Sequence, residues 1–247
     1  MTVVVPVWDD YAELVRRCLL AVEQENVRAA VVVVDNASEN AVEVPPTARR
    51  VTLTTRATVG AARNAGLVAV DTPYVVFADA DDEIAPGSLS RSLDLLERQP
   101  EAVGVIGRSM VDDGGPNTYR GIRPTKRYLY TTRFSPCLVP LLWLTGYQGS
   151  ITSTVLRTET VRDAGGLPDA NIGEDWHLAA RLARRGAFVC VDDPVRTYHR
   201  HERALRSREP RKTIADQRRA ICADCRADRA STRLQRWVAA AMMSHNE

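Results

Sequence analysis

The chain has 247 residues, of which 45% are hydrophobic and 26% charged, with a formal net charge of +2. That length suits one α/β domain with a sizeable core, and the composition is that of an ordinary soluble globular protein. The near-neutral charge, without aromatic and basic residues interleaved, excludes a dedicated nucleic-acid binder, and no apolar run approaches the roughly 20 residues that span a bilayer.

Met1-Thr2 leads straight into a β-branched run, Thr2–Val7, which predicts a buried first strand with no leader peptide before it. Tyr11, Leu14, Val15, Cys18, Leu19 and Val22 recur at helical spacing and predict an amphipathic helix. Ala30–Val34 is a second buried strand, closed by the turn-forming Asp35-Asn36-Ala37-Ser38, and Arg50–Leu53 a third. A helix over Gly60–Val70, a strand over Tyr74–Ala78, a helix over Gly87–Arg98 and a strand over Val103–Ile106 follow. Strands alternating with helices imply βαβ units and a mostly parallel, Rossmann-like sheet, whose ligands bind outside the carboxyl ends of the strands.

The middle differs. Asp112–Pro136, rich in Gly, Pro, Arg and Tyr, reads as a long excursion, followed by an apolar patch at Leu138–Tyr147. Regular structure resumes with a strand at Ser150–Leu156 and a helix start at Thr158. A loop through Gly165-Gly166 then leads to a helix over Trp176–Arg185, and a strand at Phe188–Val191 precedes an extended Val195–His201. Beyond Pro210 the chain is arginine-rich and helical to about Met243. Its uneven apolar stripe of Ile214, Ile221, Leu234, Trp237 and Val238 suits either packing on the main domain or a homodimer. The expected division is residues 1–109, residues 110–207 as the other half of the same domain, and a helical extension over residues 208–247. Five cysteines form no disulfide framework, which points to a reducing, cytoplasmic compartment. Cys222-x-x-Cys225 has no second pair or nearby histidine, and reads as incidental spacing rather than a zinc site.

The chemistry concentrates at Tyr74–Pro86, where an apolar run ends in Asp79, Asp81 and Asp82. Crowded carboxylates repel one another unless a divalent cation or polyhydroxyl ligand sits between them. Strand alternation would turn Asp79 and Asp81 to one face. The expected ligand is a hard cation holding a diphosphate, with a sugar or ribose hydroxyl beside it.

Four segments together resemble the inverting family-two glycosyltransferases of GT-A fold. They are Val3–Trp8 with Val33–Ser38, Gly60–Gly66, Phe77–Asp82, and Gly165-Gly166-Leu167 followed by Gly173–Leu178. The resemblance implies an α/β GT-A fold with an acceptor-side elaboration, and transfer from a nucleotide-diphosphate sugar to an acceptor hydroxyl with Mg²⁺ or Mn²⁺. It implies that Pro6, Val7, Trp8 and Asp35 meet the nucleotide, Asp35 accepting a hydrogen bond from the base or else capping its own turn. Arg63 would reach the base or phosphates, or be a solvated helix arginine. Asp79 would hold the ribose or bridge through water and Asp81 would ligate the metal; Asp82 would orient the donor sugar or cap a turn. Asp175 would be the catalytic base, since single displacement needs one carboxylate to take the acceptor proton. Glu174, the other acid of the pair, would bind acceptor or donor-sugar hydroxyls, although acids at a helix N-terminus also serve the dipole. His201 would be a further metal or diphosphate ligand, or an edge-strand histidine; His199 stands where the pattern carries arginine. Trp176 would line the acceptor subsite or lie in the core.

Two other classes stand beside this one. A non-catalytic nucleotide-sugar-binding or partner-binding protein could keep the fold, but intact acids at Asp79, Asp81 and Asp175 speak against it. A sugar-phosphate nucleotidyltransferase would want a glycine-rich basic loop after the first strand, where this chain has Trp8-Asp9-Asp10-Tyr11. Arg120, Arg123, Arg127 and Arg133 beside Leu138–Trp143 would suit either peripheral docking on the inner face of a membrane or a solvated basic loop.

Overall fold

The computed structural model describes residues 1–40, 42–112, 118–120, 151–201 and 211–244. Apart from Asp112 and Thr118–Arg120, the expected excursion and the apolar patch lie outside the described residues. Strands β1 (Thr2–Val7), β2 (Ala30–Asn36), β3 (Arg49–Leu53) and β4 (Tyr74–Phe77) form a parallel block in the order β3-β2-β1-β4. The sheet continues through β8 (Val155–Arg157), β6 (Gly104–Asp112), β9 (Phe188–His199) and β5 (Glu83–Ile84), with β7 (Thr118–Arg120) on β6. β8 runs antiparallel to both β4 and β6, and β6 and β9 are parallel.

β1 is buried along its whole length, which is why it reads as an unbroken apolar run. Its side chains alternate between two cores. Val4 packs with Val34, Phe77, Leu156 and Leu178 on one face, and Val3, Val5 and Val7 pack with Cys18, Leu19, Val76 and Leu89 on the other. Pro6 is tolerated here for a specific reason. The Val4 carbonyl accepts from the Ala78 N–H, so Pro6, two residues on, faces the side where β4 has already ended. The proline therefore sits where β1 and β4 part and the sheet opens, the crevice in which α/β sheets bind ligands.

Helices α1 (Val15–Glu23) and α3 (Ser88–Arg98) cover one face; α2 (Val59–Val68), α4 (Thr158–Asp163) and α5 (Glu174–Ala183) cover the other. Thr58 caps α2 by accepting from the Ala61 N–H at 3.2 Å. Gly66 lets α2 lie directly on the sheet: a Cβ there would come within 2.3 Å of Val4 and 2.8 Å of Val34.

Several expectations are corrected. The first helix begins at Val15, after a short 3₁₀ turn at Asp9–Tyr11 that buries Tyr11 edge-on against Trp8. Among the described residues, the strand expected at Ser150–Leu156 is confined to Val155–Arg157; Ser153, at a φ of 62°, instead donates its N–H to the Phe77 carbonyl in a turn. The two segments expected at Phe188–Val191 and Val195–His201 are one strand, β9, with register shifts against β6. The arginine-rich end forms two helices, α6 (Arg211–Ala227) and α7 (Arg233–Ser244). They are divided where Thr232 and Gln235 cap one another reciprocally, a capping box visible in the sequence.

Candidate active site

The expected nucleotide end lies at the tips of β1 and β2. Asp35 pairs in register with Val7 and is buried, and its Oδ1 accepts the Ser38 N–H at 3.1 Å, so it does cap its own turn. Asn36 fixes the neighbouring loop by donating to the Ala57 carbonyl and accepting the Ala57 N–H, both at 2.9 Å. The Arg56 guanidinium lies 4.4 Å from the Trp8 ring centre. Asp9 accepts the N–H groups of Glu39 and Asn40, which hold its carboxyl below the usual range.

The acid cluster is arranged by a turn and not by strand alternation. β4 ends at Phe77, and the Asp82 N–H closes onto the Asp79 carbonyl at 3.1 Å. Each acid then takes a different partner. Asp79 accepts from Arg63 and, at 3.4 Å, from Arg196. Asp82, 1% exposed, pairs with Arg196 at 3.0 Å and accepts the His199 N–H at 3.2 Å. Asp81 meets His201 Nε2 at 2.9 Å, while its carbonyl accepts from Arg17 at 3.0 Å. Burial, followed by the Asp79 charge, raises the Asp81 carboxyl above its ordinary value. Burial raises Asp82 further, against the pull of Arg196. His199 faces elsewhere, its ring between Glu83 at 2.8 Å and Asp112 at 3.0 Å.

Arg63 is not solvated. It is 2% exposed and donates to both Asp79 and Glu174, tying the acid turn to the first turn of α5. Its Nε finds no hydrogen-bond partner among the described residues. Burial pushes the Glu174 carboxyl up to about 8, against the opposing charge of Arg63, with Asp175 adding to the rise. Gly173 precedes α5 in the left-handed conformation, so Glu174 and Asp175 occupy its first turn. Asp175 is half-buried and accepts the Trp176 N–H at 2.9 Å. Trp176 itself is buried in the core with Leu178 and Leu182.

Further along α5, Arg181 and Arg184 each reach Asp224 of α6 at 2.8 Å, His177 Nε2 lies 3.2 Å from it, and Arg184 also meets Asp228 at 2.8 Å. Hydrogen bonds from His177 and Arg181 hold the Asp224 carboxyl far below the usual carboxylate range, against the cost of burial. The extension thus packs on the helix that carries the acid pair.

Sequence reasoning missed Arg17, Arg196 and Asp224. No local pattern marks them, because Arg196 meets Asp82 across 114 residues of chain. The available signal was an imbalance: so many acids at one sheet edge require buried cations opposite them.

The Asp81–His201 pair offers an oxygen and a nitrogen donor at the sheet edge. Among the described residues there is no group of three or more His, Cys, Asp or Glu side chains arranged to hold a metal ion. A cation bound here would therefore need phosphate oxygens or water to complete its shell, as Mg²⁺ and Mn²⁺ at diphosphates do.

The model of glycosyl transferase family 2 matches residues 2–147. The chain belongs to that family. Its fold is GT-A, and solved structures of similar fold agree. S. aureus TarS 1–349 in complex with UDP-GlcNAc superposes with a TM-score of 0.70 at 17% identity, over 91% of this chain and 66% of that one. The mannosyltransferase PcManGT from Pyrobaculum calidifontis, in complex with GDP-Man and Mn²⁺, gives 0.64 at 20% identity, over 98% of this chain and 68% of that one. The family-2 chain spans just under two thirds of TarS 1–349 and 39% of the longer TarS structure. No curated protein matches it in sequence. No helix among the described residues is long and apolar enough to cross a membrane.

Proposed function

We propose that this family-2 chain transfers a sugar from a nucleotide-diphosphate sugar to an acceptor hydroxyl with inversion at the anomeric carbon. The observation that carries the reading is Arg63, which joins the Asp79–Asp82 turn to Glu174-Asp175 and so brings a diphosphate-binding edge and a basic carboxylate to one crevice. Trp8, Asp35 and the backbone of Pro6-Val7 would hold the base and Asp79 the ribose. Asp81 and His201 would hold a Mg²⁺ or Mn²⁺ ion, which supplies charge neutralisation for the departing diphosphate.

Asp175 is the better base of the acid pair. Glu174 is buried against Arg63 and holds its own proton up to about pH 8, whereas Asp175 is half-buried at the helix start. The acceptor hydroxyl gives its proton to Asp175 as its oxygen bonds to the anomeric carbon. The bond from that carbon to the diphosphate oxygen breaks on the opposite face, and the electron pair leaves with the nucleoside diphosphate. Glu174 and Asp82 are buried and act by holding Arg63 and Arg196 beneath this site. In this reading residues 1–109 form the donor half, residues 110–207 the acceptor half and residues 208–247 an extension that braces α5.

TarS was solved with UDP-GlcNAc and PcManGT with GDP-Man, so both bases belong in the donor screen. The test is nucleoside-diphosphate release across UDP- and GDP-sugars with a panel of hydroxyl acceptors, and the anomeric configuration of the product by NMR. Asp175→Asn should cut turnover by about 10²–10⁴-fold while donor binding survives. A product with retained configuration, or full activity in that variant, would remove the mechanism.

A further inference from the structure

The stripe expected on the C-terminal extension splits in two. Gln235 and Ala239 of α7 are fully buried where the helix packs on Cys222 and Cys225 of α6. Leu234 and Trp237, which follow the same spacing in the sequence, face solvent at 56% and 69% exposure. They are three residues apart and share one face of the helix. Burying Cys222 and Ala239 explains the inner side of α7; nothing in that packing explains an outward tryptophan.

The exposed face is also basic. Arg233 and Arg236 of α7 are exposed, as are Arg226 and Arg229 at the end of α6 and in the turn that follows it, and α7 contains no acidic residue. Asp224 and Asp228 do not offset them, because both are engaged by Arg181, Arg184 and Arg185 of α5. The local surface is therefore far more positive than the chain's net charge of +2 suggests.

We propose that this face of α7 docks on an anionic lipid surface, with Trp237 and Leu234 entering the headgroup boundary and the arginines meeting lipid phosphates. A basic helix with an indole and a leucine on one side lies in the interface plane and does not cross the bilayer. The chemistry disfavours a second copy of the chain. A two-fold contact would set Arg233 and Arg236 near their own images, and two side chains cover only a fraction of the roughly 800 Å² per partner that a stable dimer buries. The proposal is independent of the transfer reaction and does not use the arginines of residues 120–133.

Co-sedimentation of the full chain with phosphatidylcholine vesicles, with and without a quarter phosphatidylglycerol, tests it at low salt. Binding should require the anionic lipid and weaken with added salt. Trp237→Ser with Leu234→Ser, and separately Arg233→Glu with Arg236→Glu, should each lower partitioning about tenfold or more. All four positions are exposed, so the melting temperature should stay unchanged, and a blue-shifted emission absent from Trp237→Phe would assign the contact. No binding to anionic vesicles, or binding indifferent to both double variants, overturns the proposal. A dimer in sedimentation velocity that Trp237→Ser with Leu234→Ser dissolves would give the face to a second copy instead.

Discussion

His201 Nε2 lies 2.9 Å from the Asp81 carboxylate, a contact made across 120 residues of chain. One partner comes from the turn after β4 and the other from just beyond β9, so closing the sheet brings them together. His199, two residues earlier, faces Glu83 and Asp112 instead. Mn²⁺ titrations in the presence of nucleoside diphosphate should therefore separate the two histidines. His201→Ala should weaken the ion about tenfold or more, and His199→Ala should have a much smaller effect. Equal losses would mean that the ion is not held at the Asp81–His201 pair.

Arg63 should matter to folding as much as to catalysis. Arg63→Met takes the hydrogen-bond donor from buried Glu174 and leaves Asp79 with Arg196. Removing one partner of such a pair costs about 3 kcal/mol, which urea denaturation would register as a lower midpoint. A midpoint unchanged from wild type would show that the bridge carries no net stabilisation.

Glu174 predicts a pH dependence whose sign follows from its raised value. Its carboxyl titrates near 4.5 ordinarily and near 8 in the folded chain. Below the first value both states hold the proton; between the two, the folded chain holds it more tightly. The stability it contributes is complete at low pH and is lost as pH rises through about 8. Thermal melts between about pH 5 and pH 9 should fall more steeply for wild type than for Glu174→Gln. Parallel curves would contradict the assignment.

Asp224 works in the opposite sense. Its carboxyl is held low by His177 and Arg181, so its stabilisation is present above about 3.8 and fades only in acid. Asp224→Asn should cost about 2 kcal/mol and loosen α6 from α5. Hydrogen exchange should then accelerate along Arg211–Ala227 while β1 stays protected. Unchanged protection of α6 would place its anchoring elsewhere.

The parallel block was legible because β1, β2 and β4 are buried runs closed by polar turns, and burial on both faces leaves an uninterrupted apolar string. The acid-rich edge was legible for a similar local reason. Its geometry was not: alternation along a strand places Asp79 and Asp81 together, yet the strand stops two residues before Asp79 and a turn assigns the acids to Arg63, His201 and Arg196 separately. Trp176 illustrates the same limit. Its place beside Asp175 suits an acceptor subsite equally well in sequence, and only packing puts the ring in the core. Thr232 and Gln235 are the reverse case, a helix boundary written in four consecutive residues that an arginine-rich background obscured.

The most direct test of the donor-site account is calorimetric titration of UDP and GDP, each with and without Mn²⁺, into wild type and Asp81→Ala. The account predicts metal-dependent binding of at least one nucleotide to wild type and its loss in the variant. Absence of binding to wild type under every condition, or equal binding to Asp81→Ala, would contradict it.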